Sequence, residues 1–241
     1  MWSSQVFKLS HPVCKASSDH VAAGDSFASF TPDCKATVNL GEYSRGGKTR
    51  GEHRANDHDM GAKEKYIPCG IVDEDNGELF IEFGSSYKTS DFIVDTLQTW
   101  WARLPRPVQN TIPWLQIKVD NGPESSGIRT QFLKRMVDWV DQIAIPIQLV
   151  YYPPYHSKYN PIERCWGILE QHWNGTQLTD VETMMAWAQT MTWKGQHPSI
   201  SLNQARYDKG ISLTKKEMRK IEQRLERNPQ LPKWDILIRP A

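Results

Sequence analysis

The chain has 241 residues, of which 39% are hydrophobic and 24% are charged, and its formal net charge is +1. This length provides one core and an appendage without requiring two full domains, and no apolar run approaches the length of a membrane span. The N-terminus carries no convincing signal-peptide pattern, and four cysteines that stand far apart argue against a zinc ribbon or a disulfide framework. We therefore expect a soluble, cytoplasmic protein with reduced thiols.

The first part of the chain is the least regular. Residues 1–26 show weak periodicity, and we expect them to be disordered or foreign to the rest of the sequence. Phe27–Leu40 predicts the first strand, which Pro32 should weaken or confine to a sheet edge because proline cannot donate a hydrogen bond to a ladder. In the polar stretch that follows, the Asp-His-Asp cluster at 57–59 fits no common set of metal ligands, and its composition favours a loop.

A hairpin and a helix come next. Tyr66–Val72 and Leu79–Phe83 flank an Asn-Gly pair, which is the strongest short signal for a hairpin turn. Thr89 or Ser90 then caps a helix. The apolar stripe of this helix comprises Ile93, Leu97, Trp100, Trp101 and Leu104.

The middle of the chain alternates strands and helices. Leu115–Val119 has the period-2 pattern of a half-buried strand, and Asp120 follows at its carboxyl end, where open α/β sheets place their ligands. An apolar stripe predicts a helix over Gly127–Ile143, and Pro146–Val150 is short and branched enough to be the next strand. The Asn-Gly-Pro sequence after Asp120 leaves open a second interpretation, in which this aspartate only starts a turn.

A further helix is predicted after a proline-rich loop. Asn160 is suited to the N-cap and Pro161 to the first helical position, and apolar residues recur at helical spacing as far as Trp173. Glu163 falls in the first turn, beside the apolar stripe. Because it stands three residues after Asn160, it also fits a capping box, in which its side chain would bind a backbone N–H.

Four runs of sequence resemble a known family. They are DCKATVNLGEYSRGG from Asp33, DNGPES from Asp120, YYPPYHSKYNPIERCWGILEQHWNG from Tyr151 and MTWKG from Met191. Together they resemble the DDE transposases of bacterial insertion sequences, in particular the Rhodopirellula-type group, and PPYHSKYNPIE is also similar to a signature of mariner-like relatives. The resemblance implies that Asp33 is the first catalytic carboxylate, with Asp120 and Glu163 as the other two.

The predicted order of elements agrees with this resemblance. Three strands, a helix, a strand, a helix, a strand and a helix follow one another, which is the order of the ribonuclease H-like fold. We therefore predict an α/β protein with a mixed five-stranded sheet flanked by helices, within a catalytic domain over residues 27–175. In that fold the first strand, the fourth strand and the last helix converge at one edge of the sheet, where the three carboxylates would meet.

Three carboxylates at one point repel one another unless a cation neutralises them. Oxygen donors select hard ions, so we expect two Mg²⁺ or Mn²⁺ ions, with Asp33 bridging both and Asp120 and Glu163 each holding one. Glu124 and Glu170 are nearby alternates for these ligands. The expected chemistry is strand cleavage at a transposon end, followed by transfer of the freed 3′-hydroxyl to target DNA.

Basic and aromatic side chains near this edge could contact DNA. The candidates for phosphate contact are His156, Lys158, Arg164 and Arg129, although polar residues of a surface loop would look the same. Tyr151, Tyr152 and Tyr155 could stack on bases or pack the loop, and packing is favoured.

The C-terminal part, residues 176–241, is predicted to be a helical extension. Val181–Thr192 and Leu213–Arg227 have helical patterns, and residues 194–227 carry an excess of Lys and Arg that could form either a solvated helix face or a basic surface. This extension could contact DNA or a second copy of the chain, and the sequence does not separate the two.

Three functional hypotheses follow. The first is a DNA transposase catalytic domain that acts on double-stranded DNA, at transposon ends and at the target, and that could do so as a homodimer. The second is a truncated remnant, without the N-terminal DNA-binding region of the resembled family, that binds DNA but does not cleave it. A general ribonuclease H-type nuclease is disfavoured, because the Tyr-Pro-Pro loop and the NPIER helix match transposases.

Overall fold

The computed structural model describes residues 27–43, 64–153 and 160–241. Within these ranges the strands are β1 Ala28–Cys34, β2 Val38–Asn39, β3 Lys65–Asp73, β4 Leu79–Gly84, β5 Leu115–Val119, β6 Ile147–Tyr151, β7 Ser199–Asn203, β8 Leu225–Arg227 and β9 Asp235–Ile238. The helices are α1 Ser90–Arg103, α2 Arg106–Gln109, α3 Thr130–Ile143, α4 Pro161–His172, α5 Val181–Thr190 and α6 Lys215–Glu222. The predictions for residues 1–26 and 57–59 lie outside the described residues.

The centre of the sheet has the strand order β4-β3-β1-β5-β6. β1 pairs antiparallel with β3 and parallel with β5, while β3 pairs antiparallel with β4 and β5 pairs parallel with β6. This is the mixed five-stranded arrangement of the ribonuclease H-like fold, as the sequence predicts. The β3–β4 hairpin also forms as predicted, and Gly77 adopts φ 77° in its turn, a conformation that glycine reaches without steric cost.

The C-terminal segment adds strands at both sides of this core. β7 pairs parallel with β4 on one side, and β9 pairs antiparallel with β6 on the other, where β8 follows it. The two helices expected in this segment are present as α5 and α6, although α6 ends at Glu222 and residues 225–227 are a strand. These strands span only three to five residues each, so a period-2 pattern has no length in which to emerge.

Each face of the sheet carries its own apolar core. One face packs against α1 and α3, and its buried residues include Phe30, Leu97, Ile117, Phe132, Met136 and Leu149. The other face packs against α4 and α5, and its buried residues include Val72, Ile81, Phe83, Ile162, Leu169 and Met184. The sheet is therefore the middle layer of the described structure, and its polar carboxyl-end loops emerge between the helices.

β1 lies inside the sheet, between β3 and β5, so the expectation that Pro32 confines it to an edge is wrong. Ser29 accepts a backbone hydrogen bond from Glu74, and Lys35 donates one to Pro68, so the odd-numbered backbone groups of β1 face β3. The nitrogen of Pro32 therefore faces β5. Because β5 pairs only with residues 28–30 of β1, the missing N–H of Pro32 falls beyond that ladder.

Two general expectations can be compared with the described residues. Cys34, Cys69 and Cys165 are free thiols there. None of the helices in the described ranges is both long enough and apolar enough to cross a membrane.

Candidate active site

Asp33 is held near the end of β1 by a helix that packs closely against it. Its Oδ2 atom accepts a hydrogen bond from the Trp166 indole nitrogen on α4, at 3.3 Å. Gly70 on β3 is the register partner of Asp33. A Cβ atom at Gly70 would lie 2.6 Å from Trp166 Cη2 and 2.7 Å from Ile162 Cδ1, so the glycine leaves the space in which α4 approaches the strand.

Asp120 follows β5 directly and is held by the turn after it. The Ser125 hydroxyl donates to Asp120 Oδ1 at 3.2 Å, and a Cβ atom at Gly122 would lie 3.2 Å from Asp120 Oδ2. The carbonyl of Ser125 accepts a hydrogen bond from the Tyr151 hydroxyl at 2.9 Å. Tyr151 is fully buried in the core, where it packs and supports the turn. This agrees with the interpretation that this tyrosine packs and does not stack on bases.

Asp120 lies close enough to Asp33 for its charge to act on the Asp33 carboxyl group. Burial and the Asp120 charge raise the pKa of Asp33 to about 6, while Lys88 and the Trp166 hydrogen bond act in the opposite direction. Burial acts to lower the pKa of Lys88, but the neighbouring Cys34, Asp33, Asp120 and Glu124 together raise it above its usual value. The described structure therefore places an ammonium group beside two carboxylates that repel each other.

Glu163 lies on the same helix as Trp166, one turn earlier. α4 begins as predicted, with the Asn160 side chain accepting from the Ile162 backbone N–H at 3.2 Å and Pro161 at the first position. Glu163 itself is solvent-exposed, and α4 shows no capping box. The described residues contain no group of three or more His, Cys, Asp or Glu side chains placed to hold a metal ion. The structure thus brings Asp33 and Asp120 together and leaves Glu163 exposed on the helix that contacts Asp33.

The two alternate carboxylates differ in availability. Glu170 forms an ion pair with Lys35 at 2.5 Å and accepts a hydrogen bond from the Trp173 indole at 2.9 Å, so its charge is already compensated. Glu124 lies in the turn after Asp120, and its backbone carbonyl accepts from the Ser90 hydroxyl at 2.6 Å. Its carboxylate acts on Lys88, as those of Asp33 and Asp120 do.

The candidate DNA-contacting residues are distributed over different elements. Arg164 is exposed on α4, next to Glu163. Arg129 is the N-cap residue of α3, and its guanidinium donates to the carbonyl of Ile211 at 3.1 Å. His156 and Lys158 lie outside the described residues, as does Tyr155.

Sequence reasoning missed Lys88 and the polar role of Trp166. Lys88 stands in the loop between β4 and α1, and its only signal was a basic residue immediately before a helix cap. Trp166 was counted with the apolar stripe of α4, because its helical spacing gives no information about what its indole N–H contacts.

Residues 11–240 match the family model described as the Rhodopirellula transposase DDE domain. The chain belongs to this family. The match to this DDE transposase family covers Asp33, Asp120 and Glu163. A comparison with curated proteins gave no match.

Two solved structures are similar to this chain at low sequence identity. The HTLV-2 integrase catalytic core domain in complex with magnesium, in its trimeric form, is 14% identical with a TM-score of 0.36, and the match covers 60% of this DDE domain chain and 67% of that chain. The Mos1 mariner paired end complex with Mn is 10% identical with a TM-score of 0.45, covering 73% of this chain and 51% of that one.

Proposed function

We propose that this DDE transposase domain hydrolyses a phosphodiester bond at a transposon end, and that the freed 3′-hydroxyl then attacks a phosphodiester of target DNA, joining the two strands and releasing a 3′-hydroxyl of the target. The observation that carries the proposal is the juxtaposition of Asp33 and Asp120 at the carboxyl ends of adjacent strands, in a chain of the DDE family. Double-stranded DNA is the proposed partner, with a second copy of the chain bound to the same DNA, in the bacterial cytoplasm.

The donor set suits a hard divalent cation. Asp33 and Asp120 offer only carboxylate oxygens, and burial together with the Asp120 charge raises the pKa of Asp33 to about 6, which a bound cation would oppose. Asp33 and Asp120 would hold Mg²⁺ or Mn²⁺, with Glu163 as the third proposed ligand. When bound, two such ions would polarise the scissile phosphate and stabilise the leaving oxygen.

The chain's own residues would organise the reaction around those carboxylates. Trp166 fixes the Asp33 carboxylate through its indole N–H, and Ser125 fixes that of Asp120 through its hydroxyl. Lys88 lies where an ammonium group can compensate the negative charge of a phosphate that approaches the pair. Arg164, beside Glu163 on α4, is the proposed contact for the DNA backbone on that side.

Substitution of the carboxylates tests the proposal. We expect Asp120→Asn and Glu163→Gln each to lower the rate of strand cleavage by about 10³-fold or more with Mg²⁺ or Mn²⁺, because removal of a metal ligand removes stabilisation that exists only in the transition state. The substrate is DNA that carries the element's own terminal repeats, and cleavage is followed on a denaturing gel. Glu170→Gln is the matched control, since Glu170 is already paired with Lys35.

The outcome separates this proposal from a second candidate, a remnant that binds DNA without cleaving it. That candidate is favoured by the exposure of Glu163 away from any three-ligand cluster of the described residues. Binding of terminal-repeat DNA by the wild type with no cleavage in either metal would support the remnant. Cleavage that survives both substitutions would remove the assignment of these carboxylates.

A further inference from the structure

A cavity of about 460 Å³ opens beside the carboxylate pair. Lys88 and Glu124 belong to its lining, and Lys88 is also the cation that acts on Asp33 and Asp120. The volume lies within the range of roughly 300–1,000 Å³ that is usual for small-molecule sites. The cavity is therefore large enough for one nucleotide and shares a wall with the candidate active site.

The segment 207–211 forms the outer wall of the cavity and is fixed at both ends. At one end, the Tyr207 backbone N–H donates to the Ser86 hydroxyl at 3.0 Å, and the Tyr207 hydroxyl donates to Asp95 at 2.8 Å. At the other end, the guanidinium of Arg129 donates to the Ile211 carbonyl at 3.1 Å. Hydrogen bonds thus tie this wall to the β4–α1 loop and to the start of α3, and the cavity between them is preformed.

The lining of the cavity also carries three positively charged side chains. Lys88, Lys209 and Arg129 line it, and none of them forms a salt bridge with another described residue. The Arg129 Nε atom is buried and has no hydrogen-bond partner in the described structure. Such an orphaned donor is energetically unfavourable.

The acidic residues of the lining are partly neutralised. Asp91 accepts hydrogen bonds from Arg135 at 2.8 Å and from Gln131 at 2.9 Å, so its charge is compensated from outside the cavity. Glu124 acts on Lys88, and Asp208 remains on the exposed outer wall. The donors that face the cavity therefore suit an anion with several acceptor oxygens, such as a phosphate.

An aromatic surface stands next to these cations. Tyr87 exposes 51% of its surface, and the Lys209 ammonium lies 3.9 Å from the centroid of its ring. Ile211, also in the lining, is 39% exposed. Exposed rings and aliphatic side chains beside cations that form no salt bridge are the combination with which proteins bind unpaired nucleotides, through base stacking and phosphate contacts.

We infer that this cavity binds one unpaired nucleotide of the DNA strand next to the cleaved phosphodiester. The base stacks on the exposed surface of Tyr87, and the phosphate of that nucleotide faces Lys209 and Arg129. Lys88, which lines the cavity and acts on the carboxylate pair, lies between the nucleotide and the pair. This inference rests on the proposed function, because it assumes that DNA is the substrate of the adjacent site.

DNA binding in the presence of EDTA tests the inference without catalysis. Three labelled probes are compared: a blunt duplex, the same duplex with a short single-stranded extension, and the extended duplex with abasic nucleotides in its extension. Each probe is titrated with full-length protein, and binding is followed by fluorescence anisotropy. We expect the wild type to bind the extended duplex more tightly than the blunt one. Tyr87→Ala should weaken binding of the extended duplex by about 5-fold or more and leave binding of the abasic probe unchanged.

Matched variants separate the ring from the charge. Tyr87→Phe keeps the ring and should bind as the wild type does. Lys209→Gln should reduce the salt dependence of binding to both extended probes by about 0.7 in the slope of log K against log salt. Lys194→Gln is the control, since it removes a lysine that also lies over an aromatic ring, that of Trp193, but stands outside the cavity.

Two results would overturn the inference. The first is that the wild type binds the blunt and the extended duplex with equal affinity. The second is that Tyr87→Ala and Lys209→Gln both bind the extended duplex as tightly as the wild type does. If either occurs while the wild type still cleaves terminal-repeat DNA, only the nucleotide site is rejected. Absence of binding by the wild type to every probe would reject the inference and the proposed function together.

Discussion

Asp33 is the residue at which folding and the proposed activity oppose each other most directly. Its carboxylate is largely withdrawn from water, lies near that of Asp120, and receives one hydrogen bond from Trp166. Burial and a like charge both disfavour the ionised form, which explains the rise of its pKa to about 6. The arrangement is unfavourable for the protein alone and favourable once a cation is bound, as expected of a ligand site.

The sign of this effect predicts how stability depends on pH. Because the folded state keeps the Asp33 proton up to about pH 6 and the reference pKa is 3.8, the folded state binds more protons between these values. Asp33 therefore favours folding below about pH 4, and this contribution is lost as the pH rises through about 6. In EDTA, Asp33→Asn should be more stable than the wild type at about pH 8, and the difference should disappear at about pH 4.

The measurement is urea unfolding at a series of pH values, with Asp141→Asn for comparison. A hydrogen bond from Arg224 lowers the pKa of Asp141, so this substitution should destabilise the protein at neutral pH instead. Two variants that each remove one carboxylate would thus shift stability in opposite directions. A loss of stability for Asp33→Asn at about pH 8 would contradict the account of its environment given above.

At the scale of elements, the position of α4 depends on the absence of a side chain at Gly70. A Cβ atom there would press on Trp166 and Ile162, the two α4 residues that meet β3. Interiors are packed too densely to absorb such an overlap without displacement. The helix that carries Glu163 would then move away from the strand that carries Asp33.

Two alanine substitutions test this packing. Gly70→Ala should destabilise the protein by about 1 to 3 kcal/mol, and it should lower cleavage more than stability explains, because α4 is displaced. Gly167 lies on α4 itself, and a Cβ atom there would meet no atom within 4 Å. Gly167→Ala should therefore stabilise the protein by about 0.5 to 1 kcal/mol, because alanine has a higher helix propensity than glycine. Thermal unfolding of both variants gives the comparison, and equal effects of the same sign would rule out the proposed role of Gly70.

The elements of the core were predictable because their signals are local. The Asn-Gly turn fixed the β3–β4 hairpin, and Asn160 with Pro161 fixed the start of α4. The edge strands β7 and β9 were not predictable, since what makes them strands is pairing with residues far away in the sequence. Asp33 and Asp120 could be nominated from sequence motifs. Lys88 could not, because the groups that act on it lie at the end of β1 and in the loop after β5, both far from it in the sequence.

At the scale of the whole molecule, a chain of buried polar side chains crosses the sheet. The Ser29 hydroxyl donates to Gln116 at 3.2 Å, Gln116 to Gln148 at 3.0 Å, and Gln148 to Asp235 at 2.9 Å. Asn228 donates to the same aspartate at 3.2 Å. These contacts join β1, β5, β6 and β9, so the strand that carries Asp33 is linked by side chains to the C-terminal strand.

Interruption of this chain should be costly. Gln148→Leu removes the acceptor of Gln116 and a donor to the buried Asp235 carboxylate, and it should lower the free energy of unfolding by about 2 to 4 kcal/mol. Gln142→Leu, on the exposed surface of α3, should change it by less than about 0.5 kcal/mol. Urea unfolding measures both, and a small effect of Gln148→Leu would mean that water replaces its hydrogen bonds.

The placement of β9 against β6 has a consequence for how the protein is made on the ribosome. β6 is translated well before Asp235–Ile238, so the nascent chain exposes one unpaired edge of its sheet until the last described strand emerges from the exit tunnel. During that interval Gln148 lacks the carboxylate that it meets in the finished protein. Completion of the sheet therefore waits until β9 has been synthesised, and until then the unfinished edge is open to contact with chaperones or neighbouring nascent chains.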